Sequence, residues 1–208
     1  MLVVLLLPPE HDASYNLAML ISHTISFVKI IMEKVILPGD IVVDATTGNG
    51  IDTLFLSQCV GPEGHVFGFD VQQQALDQTR KRLNIKNAPD NVTLLQVGHE
   101  LMARMLPDEF HGQVMAVMFN LGYLPGSNEN IVTCAATTCP AIDSALSVMK
   151  PGGVISIVMY TGHPGGQKEA VAVDKHCATL SPNLARVRRC TMHNHPAAQT
   201  HLLLIERR

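Results

Sequence analysis

Three stretches of this sequence set polar side chains and glycines directly after short apolar runs, where an open α/β sheet gathers its ligands. The first is Asp44-Ala45-Thr46-Thr47-Gly48-Asn49-Gly50, after Ile41-Val42-Val43. Glycines let the backbone pass close to a ligand, and the amino end of a following helix presents free N–H groups to an anion. A tight turn without a ligand would use the same glycines, so this stretch decides nothing alone. The second is Asp70, which closes the run from His65 to Phe69. An acid at that point accepts hydrogen bonds from ribose hydroxyls in nicotinamide and adenosylmethionine sites alike. The third is Asn120-Leu121-Gly122-Tyr123-Leu124-Pro125, after Val114 to Phe119.

Chemical detail separates the candidate cofactors. Thr53 stands where the dinucleotide fingerprint carries glycine or alanine. The carboxylate of Asp44 would repel a pyrophosphate but suits a cationic sulfonium. The pattern therefore favours S-adenosylmethionine over NAD, and methyl transfer over hydride transfer. Asn120, the Leu121 carbonyl and Tyr123 are similar to the strand-end pattern Asn/Asp-Pro-Pro-Tyr/Phe of class I enzymes that methylate an amino nitrogen. There a side-chain oxygen and a backbone carbonyl accept the amine hydrogens and aim its lone pair, which is catalysis by proximity. A β-turn at Gly122 and Pro125 would account for those two residues but requires neither Asn nor Tyr.

These groups need a scaffold, and the hydropathy pattern supplies one. Tyr15 to Leu37 carries apolar residues at helical spacing and stops at Pro38-Gly39. Strands are predicted at Ile41–Asp44, His65–Asp70, Val92–Val97, Val114–Phe119 and Val154–Tyr160. Between them fall helices from Ile51 to Cys59, Gln72 to Leu83, Glu100 to Leu106 and Ile131 to Met149, the last broken or kinked at Pro140. A helix after Gly162-His163-Pro164-Gly165-Gly166 runs to about Leu180. Ala185–Met192 and His201–Ile205 close the chain as an antiparallel hairpin. Short apolar strands alternating with helices predict a mostly parallel seven-stranded sheet covered on both faces. The expectation is one α/β domain over residues 1–208, with an N-terminal extension and helix (1–38) before a Rossmann-like core (40–208).

Composition sets limits on partners. With 47% hydrophobic and 16% charged residues the chain is not a disordered one. A net charge of -3 gives no broad basic footprint, so contact with nucleic acid must come from a local patch. Arg80-Lys81-Arg82 reads as a solvated face. Arg186, Arg188 and Arg189 with Arg207 and Arg208 are the better phosphate candidates. The five cysteines form no C-x-x-C pair and read as buried reduced thiols. His193 and His195 would share a strand face, but no further metal ligand is apparent and no metal is expected. Leu2 to Leu7 is too short to span a membrane and lacks the basic start of a secretory signal. It reads as an extra edge strand or a frayed end. A cytoplasmic protein without a membrane partner is expected.

The motifs Asp44-Ala-Thr-x-Gly-Asn-Gly-x-Asp-Thr53, Phe69-Asp70-Val-Gln72, His99-Glu100, Phe119-Asn-Leu-Gly-Tyr-Leu-Pro-Gly126 and Tyr160-x-Gly-His-Pro-Gly-Gly-x-x-Glu169 resemble one family. It is the small bacterial class I methyltransferase family long labelled rRNA methylases. Its characterised members methylate the aminomethyl group of 5-aminomethyl-2-thiouridine at the tRNA wobble position. The resemblance runs from about Asp40 to Glu169. It implies S-adenosylmethionine as cofactor and the tRNA anticodon region as partner. Asp44, Thr46, Gly48 and Gly50 would lie at the methionine and sulfonium part, while Asn49, Asp52 and Thr53 shape the helix start. Asp70 would hold the ribose and Gln72 flank the adenine. His99 would contact the adenine amine or face the substrate. Asn120 would border both cofactor and amine, with Leu121 and Tyr123 beside it. Tyr160, His163 and Glu169 would border the substrate mouth. Their alternatives are a core aromatic, a turn-ordering histidine and a helix-dipole carboxylate. An amine in rRNA or in a small molecule remains the alternative substrate. Enzymes of this class and size often pair as homodimers, though nothing in the sequence names an interface.

Overall fold

The computed structural model describes residues 24–124, 126, 131–194 and 200–208. Helix α1 (Thr24–Val35) buries Val28 and Met32, one turn apart, against the sheet. Strand β1 (Ile41–Asp44) leads through the glycine loop into α2 (Ile51–Val60), and β2 (His65–Asp70) leads into α3 (Gln73–Ile85). After β3 (Val92–Gln96) come a 3₁₀ turn (His99–Leu101), the short α4 (Met102–Met105) and β4 (Val114–Leu121). Helix α5 (Ala135–Val148), β5 (Met149–Tyr160), α6 (Gly166–Ala178), β6 (Ala185–Cys190) and β7 (Thr200–Arg207) complete the order.

The strands form one sheet in the order β3-β2-β1-β4-β5-β7-β6. β1 to β5 run parallel, and β7 lies antiparallel between β5 and β6. Alternate residues of each strand face opposite layers. Val42, Met118 and Val158 pack with Val28 and Met32 of α1 and Leu56 of α2. Val43, Val117 and Ile157 pack with Ile142 of α5 and Val173 of α6. A fully buried side chain of this size contributes roughly 1.5–3 kcal/mol, against about 0–1 kcal/mol for an exposed ion pair. The two apolar layers therefore hold the strand ends in place, more than surface pairs such as Arg80–Asp77. This is the class I, Rossmann-like methyltransferase architecture with its antiparallel hairpin. The chain moves outward from β1 to β3 and then returns to β4, so the order reverses between β1 and β4. Their carboxyl ends diverge there and leave a crevice.

Several element boundaries differ from the sequence reading. Helix α5 starts at Ala135, because Val132 pairs with Tyr123 and the Thr133 N–H donates to the Gly122 carbonyl (2.9 Å). It runs unbroken past Pro140, whose missing N–H leaves out one bond, to the first-turn carbonyl of Ala136. β4 continues to Leu121, which puts Asn120 inside the strand. β5 starts at Met149, with a register shift that loops out the glycine turn before Val154. Only Cys177 is fully buried among the five free cysteines, and Cys134 is exposed, contrary to the expectation of buried thiols. Burial pushes the Cys177 thiol up to about 12. The Leu2–Leu7 run, the start of the expected first helix and His195 lie outside the described residues. Among the described residues no helix is long and apolar enough to cross a membrane.

Candidate active site

A cavity of about 730 Å³ opens at the carboxyl ends of β1, β2, β4 and β5, within the usual range for ligand pockets. Gly48, Asp70 and His99 line one side, and Asn120, Tyr123 and Tyr160 the other.

The glycine loop is shaped by two left-handed residues, Gly48 (φ 51°) and Gly50 (φ 73°). At Gly50 a Cβ would also come within 2.7 Å of Thr79 Oγ1, so space and conformation both demand glycine. The Gly48 N–H donates to Asp70 Oδ2 and the Gln72 N–H to Asp70 Oδ1, each at 2.9 Å. Thr79 Oγ1 donates to the Gly48 carbonyl (3.2 Å), and Arg82 Nε to the Asn49 carbonyl (2.6 Å). Arg82 thus ties α3 to the loop, which the reading of its cluster as a solvated face did not foresee. Burial raises the Asp70 pKa from its ordinary value, while the backbone donors of Gln72, Gly48 and Val71 oppose that shift.

Asp44 lies beneath this loop and does not line the cavity. It is 1% exposed and accepts from Thr53 Oγ1 (2.6 Å) and the Thr46 N–H (3.1 Å). Burial first, and then the charge of Asp52, push its carboxyl up to about 7. Gly50 and Thr53 likewise do not line the cavity. Thr46, Gly48, Asn49, Asp52, Asp70, Gln72, His99 and Asn120 are the cofactor candidates that reach the cavity wall. His99 is buried, and its Nδ1 stands 3.1 Å from the Ala45 carbonyl. A carbonyl only accepts, so Nδ1 carries the hydrogen and Nε2 is left as an acceptor. Burial lowers the His99 pKa, which keeps the ring neutral.

On the opposite wall, Asn120 Nδ2 donates to Asp52 Oδ2. Asp52 Oδ1 is ion-paired to Lys29 Nζ of α1 (3.0 Å), and Lys29 also lies over the Phe55 ring. Asn120 Oδ1 is buried without a hydrogen-bond partner among the described residues. The Asn120 N–H donates to Thr46 Oγ1 (2.8 Å), which joins the end of β4 to the loop after β1. Tyr123 meets His163 edge-on at 5.7 Å. His163 Nδ1 donates to the Pro164 carbonyl (3.2 Å), and Nε2 is buried without a partner among the described residues. Burial, then the charge of Asp52, raise the Tyr160 pKa, so its hydroxyl stays protonated.

Leu121 and Glu169 do not line the cavity. Leu121 is buried in the sheet. Glu169 accepts from Thr133 Oγ1 (2.8 Å) and Thr138 Oγ1 (2.6 Å), which ties α6 to the segment carrying Val132 and Thr133. That segment, together with Ile25 and Thr200, supplies cavity wall that the sequence reading did not assign. Val132 and Thr133 had the signal of a helix start. Lys29 had none, since it sits as one cation beside an apolar stripe.

A family model described as "Putative rRNA methylase" matches residues 66–206. The chain belongs to that family. Among solved structures it is similar to the putative rRNA methylase from Clostridium thermocellum, at 36% identity and TM-score 0.85, covering 89% of this chain and 98% of that one. It is similar also to a putative methyltransferase from Streptococcus mutans in complex with SAH, at 33% identity, TM-score 0.79 and the same coverage. The chain is similar also to the chloroplastic tRNA (mnm(5)s(2)U34)-methyltransferase of Arabidopsis thaliana, at 40% identity over 153 residues. That match takes in 70% of this chain and 55% of the relative, so the chain spans about half the relative's length.

Proposed function

We propose that this methylase-family chain is an S-adenosylmethionine-dependent N-methyltransferase acting on the aminomethyl group of 5-aminomethyl-2-thiouridine at the tRNA wobble position. The observation that carries the reading is Asn120. Asn120 lines the cavity, its amide nitrogen is held by Asp52, and its oxygen is buried without a partner among the described residues. An unmet buried acceptor costs about 1–3 kcal/mol, and a donor from a bound molecule removes that cost. The hydrogens of a neutral amine are such donors. The likeness to the tRNA methyltransferase of Arabidopsis supports the choice of nucleoside.

S-adenosylmethionine supplies an electrophilic methyl group on a sulfonium. The loop fits such a ligand: its backbone is open at Gly48, and carboxylates at Asp52 and Asp70 reach the wall. In this reading Asp70 accepts from the ribose hydroxyls, Gln72 flanks the adenine, and His99 Nε2 accepts from the adenine amine. Thr46, Gly48 and Asn49 border the methionine part, with Asp44, Gly50 and Thr53 holding the loop from below. Asn120 Oδ1 takes one amine hydrogen and aims the nitrogen lone pair, and Tyr123 with Tyr160 forms the mouth that receives the base. His163 orders the turn behind Tyr123. Glu169 fixes the wall at Thr133. Phosphate contacts fall to the exposed Arg186 and Arg188 of edge strand β6, because Arg189 is paired with Asp174.

The test has two steps. Calorimetric titration should give saturable binding of S-adenosylmethionine and none of NADH. Labelled methyl should then transfer to tRNA carrying the aminomethyl group and not to tRNA lacking it. Binding without transfer would move the substrate to another amine, in rRNA or a small molecule. Absence of binding would remove the methyl-transfer reading.

A further inference from the structure

The orientation of the Asn120 amide is set from outside the residues matched by the family model. An Asn side chain has a donor end and an acceptor end of nearly equal shape, and its neighbours decide which end points where. A carboxylate only accepts, so Asp52 faces Asn120 Nδ2 and leaves Oδ1, the acceptor end, turned from it on a residue that lines the cavity. What holds that carboxylate in place is therefore decisive, because a carboxylate swung away would leave the amide free to turn over and present its N–H₂ to the hydrogens of an incoming amine, donor against donor. Lys29 on α1 holds the other oxygen, with Nζ 3.0 Å from Asp52 Oδ1, which leaves Oδ2 for the amide. Both side chains are largely buried, at 18% and 11% exposure, so water screens the pair little. The Phe55 ring beneath Nζ adds attraction for the same charge.

We propose that Lys29 is a positioning residue, which holds the Asp52 carboxylate against Asn120 Nδ2 and thereby fixes the Asn120 oxygen as the acceptor for the target amine. The consequence for turnover rests on the N-methyltransferase reading above, while the effect on Asn120 does not. Residues of α1 thus belong to the working site although they precede residue 66, where the family match begins.

The test uses the full chain and two readouts. The first is the Asn120 side-chain amide in ¹H–¹⁵N spectra, assigned by its loss in Asn120→Ala. In wild type and in Lys29→Arg its protons should resonate far downfield, as expected of a bond to a carboxylate. In Lys29→Met, which keeps the stem and removes the charge, they should return to the ordinary range. The second is methyl transfer. Lys29→Met should lower kcat about tenfold while RNA KM and the cofactor Kd stay within about twofold, and Lys29→Arg should restore kcat. Asp52→Asn should lower kcat as well, and adding Lys29→Met to it should cost nothing further. An unmoved Asn120 amide in Lys29→Met would overturn the proposal, whatever the substrate proves to be. So would a loss of melting temperature and of cofactor affinity in parallel with kcat, because that pattern belongs to an ion pair that only anchors α1. If wild type transfers no methyl to aminomethyl-tRNA, the substrate reading falls and the amide spectrum still decides the role of Lys29.

Discussion

On the β1–β2 side of the cavity, both oxygens of Asp44 and both oxygens of Asp70 have hydrogen-bond donors within the chain. On the β4–β5 side, Asn120 Oδ1 and His163 Nε2 are buried with no partner among the described residues, and Tyr123 and Tyr160 are about 40% exposed. The first side is not uniformly complete, since Asn49 Oδ1 and Glu100 Oε2 also lack partners there. The difference still teaches how the two halves work. Preorganised carboxylates are fixed before a ligand arrives and spend no binding energy on being ordered. The other half holds acceptors that are costly until a donor fills them, so its order is completed by what binds.

The largest expected effect tests the price of the preorganised side. Asp44 is pushed to about 7, chiefly by burial, against a carboxyl of 3.8 in an ordinary setting. Its proton is thus bound more tightly in the fold than in the unfolded chain. Such a group costs nothing below about pH 4, and it lowers stability progressively as pH rises to about 7. At about 1.4 kcal/mol per unit, the cost above pH 7 reaches up to about 4 kcal/mol. Asp44→Asn should therefore melt higher than wild type at pH 8, with the gain shrinking towards pH 4 and cofactor affinity reduced. Thermal melts across that range decide it. A variant that melts lower at pH 8 would mean that the Asp44 charge stabilises the loop.

The next effect separates cofactor from substrate. Asp70→Ala removes an acceptor whose charge-assisted bonds are worth roughly 1.5–3 kcal/mol, and it also frees the Gly48 N–H. Affinity for S-adenosylmethionine should drop by about 10- to 150-fold in calorimetry. Unchanged affinity would mean that the ribose is held elsewhere.

Much of the preorganised side was legible in the sequence. Apolar runs ending in Asp44 and Asp70 give both strand ends, and left-handed backbone explains the glycines between them. What escaped was which oxygen each side chain spends internally. Asp44 reads as a ligand group until the Thr53 hydroxyl, nine residues on, is seen to occupy it. The β4 side was legible at Asn120 and Tyr123, because a turn alone needs neither residue. Its remaining wall was not. Val132 pairs across space with Tyr123, a bridge that suits the β-branched run Ile131-Val132-Thr133 and keeps it out of the helix. Lys29 acquires meaning only through Asp52, a contact between two elements that no local spacing encodes.

The smallest expected effect bears most directly on the contrast between the halves. Asn120→Ala deletes the unfilled acceptor and leaves the carboxylates of Asp44 and Asp70 with their donors. In the resting protein this removes an oxygen without a partner among the described residues but also takes the Nδ2 donor from Asp52, so stability should fall by about 1.5–3 kcal/mol. Cofactor affinity should stay within about twofold, because the Asp70 side keeps its donors. Turnover should fall about tenfold or more, since the contact to the amine is made only when substrate is bound and counts fully in the transition state. The three quantities need to be measured on one preparation by melting, calorimetry and single-turnover methyl transfer. A cofactor affinity that falls as far as kcat would merge the two halves into one ligand site. A kcat that does not fall would shift the acceptor role to another group on the wall, with His163 Nε2, also without a partner among the described residues, as the place to look.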